Sequence, residues 1–428
     1  MYASLKWRRK WDGGETVKKL FKALSVICMS CALVLAIAVG IIAYCTPDSY
    51  QVTAGKTLGL DNAAVTAKNV QDNQVISAAA LKKSNQNYQA KLMLLNTIPI
   101  KTVNISVIDE NWLIPCGTPF GIKMFTNGVV IVGVADIKTA TGVINPAAVA
   151  GLKVGDVIIS IDGKSVNQNE EVAGIIEKSN GKQMKFLVCR DKVNLTATLT
   201  PVKSALDDSY KGGLWVRDST AGIGTVTFYN PTTDIFGGLG HGISDQDTNE
   251  LLPLRSGEIV NVTISGIVKG EKGAAGELRG YFNDDTSVGN LNANVDEGVY
   301  GTLQSSPANN KAIKVAMKQE VKTGAAQILT TIDGNTPQYY DVQIESVNYR
   351  DNVRTKNIVV RITDKKLLEA TGGIIQGMSG SPIIQNNMLV GAVTHVFVND
   401  PTRGYGIFAE NMLTVSQNIK QQSLKKAS

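Results

Sequence analysis

The chain has 428 residues, 43% of them hydrophobic, with 43 Lys and Arg against 37 Asp and Glu. That length predicts two to three domains at roughly 150 residues each, and the apolar share is enough for large cores. The net charge of +6 lies in good part near the amino terminus, and no basic run interleaves with aromatics, which excludes nucleic acid as a partner.

Residues 1–22 carry Lys6, Arg8, Arg9, Lys10, Lys18, Lys19 and Lys22, offset by Asp12 and Glu15. Residues 23–44 then run uncharged. A helix of that length spans about 33 Å, against a hydrocarbon core of about 30 Å. The basic flank is expected to stay cytoplasmic, which makes 23–44 a single-pass transmembrane anchor and places the rest outside. A cleaved signal peptide is the alternative, but no small-x-small site follows the apolar run. Tyr44 also stands where a lipoprotein signal before Cys45 needs a small residue.

Residues 45–90 are rich in Asn, Gln, Ala and Lys and read as a polar stalk, partly helical through 75–83 and open to proteolysis. Residues 91–111 form a strand-rich connecting segment, where Val103, Ile105 and Val107 alternate with polar neighbours. Cysteines stand at 28, 31, 45, 116 and 189. None follows 189, so a cysteine nucleophile or zinc cluster in the carboxyl half is excluded. Cys116 and Cys189 either pair, if the domain is extracytoplasmic, or are two buried thiols.

Residues 112–202 resemble a PDZ domain. The specific stretch runs from Pro146-Ala147-Ala148 through Ala150-Gly151-Leu152 to Gly155-Asp156-Val157-Ile158 and Ile161-Asp162-Gly163. The last two residues close a strand in an Asp-Gly turn. A helix over 170–179 and a strand over 184–189 follow. Pro119, Phe120, Gly121 and Ile122 match the carboxylate-binding loop more loosely. The resemblance implies β-augmentation, with a peptide or carboxyl-terminal segment added beside 122–125 and its carboxylate cradled by the amides around 120–122. A PDZ-like unit that only packs on its neighbour is an equal reading.

Residues 203–428 are Gly-rich, with short apolar segments punctuated by turn residues. This predicts two small β-barrels with a cleft between them. Here Gly377-Met378-Ser379-Gly380-Ser381-Pro382 resembles the nucleophile loop of chymotrypsin-like serine peptidases. A serine hydroxyl needs a base, and histidine is the usual one. The chain has two histidines, so the base is His241 or His395. His241 lies in a glycine-flanked turn. His395 shares a strand face with Leu389, Gly391, Val393 and Phe397 and reads as a packed residue. The amides of Gly377 and Ser379 are candidates for an oxyanion hole. The strand after the nucleophile loop walls the specificity pocket in such barrels, which nominates Thr394, His395 and Phe397. Asp364 is a candidate for the group that orients the imidazole, and equally the cap of a short helix over 365–370. Asp245 and Asp247 are runners-up close to His241.

With these residues in hand, the chain resembles the stage IV sporulation protein B (SpoIVB) peptidases, in the order anchor, PDZ domain, chymotrypsin-like peptidase domain. The resemblance is carried by Gly213-Leu214-Trp215-Val216-Arg217-Asp218, by Gly240-His241-x-Ile243-Ser244-Asp245, and by the runs 372–386 and 391–402. Gly242 stands where a bulkier apolar residue often follows the histidine. The resemblance implies a triad of His241, Asp364 and Ser379, with no metal or organic cofactor. It also implies location in the space between two forespore membranes and self-cleavage, with copies of the chain associating for that step. The substrate it implies is a membrane-held regulatory protein, whose cleavage triggers processing of a late sigma-factor precursor (pro-sigma-K). The rival reading is a non-catalytic, membrane-tethered PDZ adaptor with a remnant peptidase fold. A quality-control peptidase of the high-temperature-requirement type would place its PDZ domain after the peptidase, not before it.

Overall fold

The apolar run near the amino terminus lies in one continuous helix, Gly13–Cys45. Its Val17–Cys45 portion, 29 residues with a mean hydropathy of 2.8 in its most apolar window, is long and apolar enough to cross a membrane. Leu33, Val34 and Ile37 are exposed on it, as expected of a helix that is apolar all round and made for lipid. Length and composition suit an anchor and a signal sequence alike. This computed structural model describes residues 13–427 apart from 61–63, 72, 77–80 and 82–83. Lys6, Arg8, Arg9, Lys10 and Asp12 of the basic segment therefore lie outside the described residues.

The segment expected as a polar stalk is folded. Strands Ser49–Thr53, Val65–Asn69, Gln86–Leu94 and Ile98–Ile108 form a four-stranded sheet. The first pairs with the last in parallel and the other neighbours are antiparallel. Its core holds Tyr50, Val52, Leu81, Leu92, Ile105 and Val107. The averaged composition hid a period of two, because pairs such as Tyr50/Val52 and Ala90/Leu92 each send alternate residues to one buried face. Of the helix expected over 75–83, Val75 instead bridges to Lys68, and most of the remainder lies outside the described residues. This unit runs to Asp109 and takes in Tyr349–Asp351; the rest of the chain is a second unit.

Within the second unit the PDZ-type elements fall where the motif places them. Helix Pro146–Val149 has proline at its start and Asn145 as cap, whose side chain accepts from the Ala148 amide at 3.0 Å. Asp162 and Gly163 both have positive φ, 49° and 80°, as a two-residue hairpin turn requires. Helix Asn169–Lys178 and strands Val157–Ile161, Met184–Arg190 and Val193–Leu199 enclose Ile131, Ile158, Ile176, Phe186 and Val188. Asp156, fully buried, is gripped by Arg190 through Nε at 2.6 Å and Nη2 at 2.7 Å, and accepts from the Lys153 amide.

The remaining strands close two rings. In the first, Pro119–Val134, Leu214–Asn230, Ile235–Gly238, Gly298–Leu303, Glu277–Val295 and Leu254–Val268 pair in that order, each antiparallel to the next, and the last returns to the first. In the second, Gly324–Thr330, Gln338–Val347, Ile358–Ile362, Asp400–Phe408, Met388–Phe397 and Pro382–Gln385 do the same. Two barrels were expected within 203–428; the first instead takes its closing strand, Pro119–Val134, from the segment read as the PDZ domain. Phe120, Ile122, Met124, Phe236 and Leu291 fill the first.

One expectation is corrected by this register. Pro119, Phe120, Gly121 and Ile122 are not a carboxylate-binding loop. Residues 119–125 pair with 219–225 on one side, and 120–126 pair with 254–261 on the other. A strand hydrogen-bonded on both edges has no amides left for a guest. The long strand Pro119–Val134 passes through the first barrel before its last residues enter the PDZ-type sheet. Cys116 is buried, Cys189 half-buried, and both are free thiols. The Cys116 thiol, raised in pKa by burial, reaches the Ile114 carbonyl.

Candidate active site

The histidine turn leaves the first barrel at the end of strand Ile235–Gly238. Leu239 and Gly240 follow with φ of 62° and 68°, which reverses the chain within two residues. A Cβ on Gly240 would stand 2.9 Å from Thr394 Cγ2 and 3.0 Å from Ile407 Cγ2, so only glycine lets the turn press against the second barrel. His241, half-buried, follows directly.

The serine loop meets it from the other side. Gly380, at φ 96°, has no room for a Cβ: the Thr225 carbonyl would lie at 2.1 Å and the Leu239 amide nitrogen at 2.5 Å. First-barrel residues hold the loop. The Thr225 amide donates to the Ser379 carbonyl at 3.1 Å. The hydroxyls of Thr225 and Thr227 donate to the carbonyls of Gly377 and Gly380 at 2.8 and 2.7 Å. Ser381, fully buried, donates to the Met378 carbonyl at 2.6 Å and meets Thr330 Oγ1 at 2.8 Å. A hydroxyl at 381, where chymotrypsin-like loops carry glycine, thus has a structural use. Among the described residues, the amides of Gly377 and Ser379 make no backbone hydrogen bond.

The histidine turn and the serine loop therefore share one junction, with Thr394 and His395 beside them. Each functional group is engaged locally. The Ser379 hydroxyl donates to the Thr394 carbonyl at 2.6 Å. His241 Nδ1 lies 2.9 Å from the Gly242 carbonyl, which fixes the proton on Nδ1 and leaves Nε2 as the basic nitrogen. The rings of His241 and His395 lie 4.7 Å apart, tilted by 39°. Burial lowers the His241 pKa, and its contact with the Gly242 carbonyl opposes this. His395, although exposed as a residue, is lowered to about 4 by desolvation first, then by His241 and Lys356. Both shifts favour the neutral ring, the state in which an imidazole accepts a proton.

Asp364 is engaged as a helix cap. Its Oδ1 accepts from the Leu367 amide at 3.0 Å and caps helix Lys365–Thr371, which ends at Gly372 with φ 72°. Among the described residues no hydrogen bond joins it to His241. Asp245, fully buried, accepts from the amides of Asp247 and Thr248 and pairs with Arg217; Asp247 pairs with the same guanidinium at 2.9 Å. These two acids shape the loop after His241. Of the pocket candidates, Thr394 is buried at the serine, His395 lies on His241, and Phe397 packs on Tyr405 with ring centroids 4.6 Å apart. Sequence reasoning missed Thr225, Thr227 and Arg217, because nothing local marks a strand threonine as the support of a loop 150 residues away. It also missed Glu297. That residue is buried, pairs with Arg354 at 3.2 Å, and lies in the turn whose Val295 carbonyl is 2.7 Å from where a Cβ on Gly242 would be.

Residues 208–413 match the family model for SpoIVB peptidase S55, and residues 142–190 match that of a PDZ domain. The chain carries a SpoIVB-type S55 peptidase domain. The match spans both barrels from strand Leu214–Asn230 onward and includes the histidine turn and the serine loop. Among curated proteins, the magnetosome formation protease MamE of Magnetospirillum gryphiswaldense is 46% identical over 59 residues, 13% of this chain and 8% of that one. The probable protease eep of Enterococcus faecalis is 30% identical over 143 residues, 31% of this chain and 34% of that one. The chain thus spans about a third or less of the length of either relative. Among solved structures, the active form of the Rv3671c protease from M. tuberculosis aligns with 46% of this chain and 74% of its own, at 13% identity and a TM-score of 0.27.

Proposed function

We propose that the chain is a membrane-anchored serine endopeptidase in which Ser379 is the nucleophile and His241 its base. The observation that carries this is the junction itself: two glycine-dependent turns, one from each barrel, set an imidazole and a serine loop against each other. In the reaction, Nε2 of His241 takes the Ser379 proton as Oγ attacks the scissile carbonyl. The tetrahedral oxyanion faces the amides of Gly377 and Ser379, and the imidazolium then returns the proton to the leaving amine. The Gly242 carbonyl holds the imidazole tautomer. Thr394, His395 and Phe397 line the path for the substrate side chain. Before attack, the Ser379 hydroxyl must leave the Thr394 carbonyl, so the arrangement described above is the resting one.

A second reading keeps Asp364 as the third member of the triad. It is favoured by the S55 family match, which covers Asp364 together with His241 and Ser379. The same match supports the wider role. The long amino-terminal helix anchors the chain with its basic end cytoplasmic, and the peptidase works outside, in the space between two forespore membranes. There it cleaves itself, as associated copies, and cuts a membrane-held regulator to trigger late sigma-factor processing. Self-cleavage would then act beside a sheet rather than on an extended stalk, because strands Ser49–Thr53, Val65–Asn69, Gln86–Leu94 and Ile98–Ile108 pair there.

The test uses the full chain in detergent. Wild-type protein is expected to nick itself or a peptide, and Ser379→Ala to lose on the order of 10⁶ in turnover. Unchanged cleavage by the alanine variant would transfer the reading to the non-catalytic PDZ adaptor.

A further inference from the structure

The strand Leu214–Asn230 has two halves with different surroundings. In the first, Leu214 to Arg217 run antiparallel to Val134 to Val130. Leu214 and Val216 turn toward the PDZ-type core, while Trp215 between them is 66% exposed. The residues just before are buried glycines. A Cβ on Gly212 would meet Ile176 of helix Asn169–Lys178 at 3.1 Å, and one on Gly213 would meet the Ala135 carbonyl at 2.6 Å. Asp218 Oδ2 accepts from the Asn169 amide at the start of that helix, at 3.0 Å. The segment 212–218 therefore lies extended along a sheet edge and beside a helix, with alternate side chains inward. That is how a PDZ domain receives an extended peptide.

The second half grips the active site. Seven and nine residues beyond Asp218 come Thr225 and Thr227, whose bonds to Gly377, Ser379 and Gly380 hold the serine loop. Within the first half, Arg217 is the cation that pairs with Asp245 and Asp247, on the loop that follows His241. One continuous strand thus joins the groove to both sides of the catalytic junction.

We propose that residues 213–217 are the resident ligand of the PDZ groove. An external peptide with aliphatic residues at alternate positions enters only by displacing them. Displacement frees Arg217 from the Asp245 loop and loosens the pull of Thr225 on the serine loop, so groove occupancy sets turnover. The consequence for turnover rests on the assignment of Ser379 and His241; the occupancy of the groove does not.

The experiment introduces Val134→Cys with Leu214→Cys into the full chain in detergent. These residues are direct cross-strand partners, whose Cα atoms in an antiparallel pair lie about 4.5–5.5 Å apart, within disulfide reach. The probe is a fluorescein-labelled peptide copying residues 213–218. Binding is measured in a Ser379→Ala background, so failure of the catalytic assignment cannot disturb it. The reduced protein is expected to bind the probe, and oxidation to weaken binding at least tenfold. Val216→Asp, which loosens the resident strand, is expected to strengthen binding at least tenfold. Equal affinity in the oxidised and reduced forms overturns the proposal, and this comparison does not depend on how well Val216→Asp folds. With Ser379 intact, saturating probe should change turnover of a small peptide substrate at least threefold in the reduced form and leave the oxidised form unaffected. Probe that binds without changing turnover overturns the coupling.

Discussion

Replacing Asp364 by asparagine separates the two readings of that residue, because asparagine caps a helix as well as aspartate but carries no charge. The register gives the expected size of the effect. Arg361 stands opposite Arg403, whereas Val393 and Val396 stand opposite Gly406 and Gly404. Asp364, three residues past Arg361, therefore falls about level with 400, and Thr394 about level with 405. Five residue steps are about 16 Å along the barrel. At that distance a carboxylate and an imidazolium interact by about 1 kcal/mol with an effective dielectric constant near 20, and by about 0.3 kcal/mol in water. Removing the charge should then lower turnover no more than about sixfold. Stability should stay within a few tenths of a kcal/mol for Asp364→Asn and fall by about 1 kcal/mol for Asp364→Ala. Turnover is measured per active serine, titrated with a fluorophosphonate, and stability by urea unfolding. A loss of turnover near 10⁴ in the asparagine variant, with the fold intact, would refute this reasoning. It would place Asp364 in the triad and demote the Gly242 carbonyl.

Three further outcomes follow from the same geometry. Because burial holds the His241 pKa down, the acid limb of kcat/KM should lie below the ordinary histidine value near 6.5. His395→Gln uncovers the ring and so relieves part of its burial, which should move that limb upward; an unmoved limb would show that the stacked ring does not set it. Both histidines bind protons more weakly folded than unfolded. Stability should therefore be full above about pH 6.5 and decline as pH falls from there through about 4, read as a falling urea midpoint; a flat midpoint counts against it. Asp156→Ala strands Arg190 and the Lys153 amide, and should cost about 3 kcal/mol in urea unfolding; a loss below 1 kcal/mol would mean the pair carries no net stability.

What the sequence revealed and what it hid divide along the range of the interactions involved. The turn at Asp162-Gly163, the cap at Asn145 and the glycines around His241 and Ser379 are local demands on φ, and each was readable from a few neighbouring residues. The apolar helix was readable from hydropathy. Register was not. Whether 120–122 is a ligand cradle or the middle of a sheet depends on strands more than 90 residues downstream, and no local pattern distinguishes the two. The small sheet over 49–108 escaped because its core is built from few apolar residues, spaced two apart and diluted by amides. The PDZ resemblance was correct, but residues 119–122 are paired on both sides, and Val130–Val134, later in the same strand, pairs with a segment of this chain. That neighbour, Gly213-Leu214-Trp215-Val216-Arg217-Asp218, was noticed in the sequence only as a family mark. Its composition now has a physical reason. Gly213, with Gly212 before it, lets the chain lie close to helix Asn169–Lys178 and the Ala135 carbonyl, Leu214 and Val216 pack on the PDZ-type core, and Arg217 pairs with the loop after His241. Each of those residues has its partner on a different element, so the motif becomes legible only when the strand that carries it is seen crossing from one domain into the other.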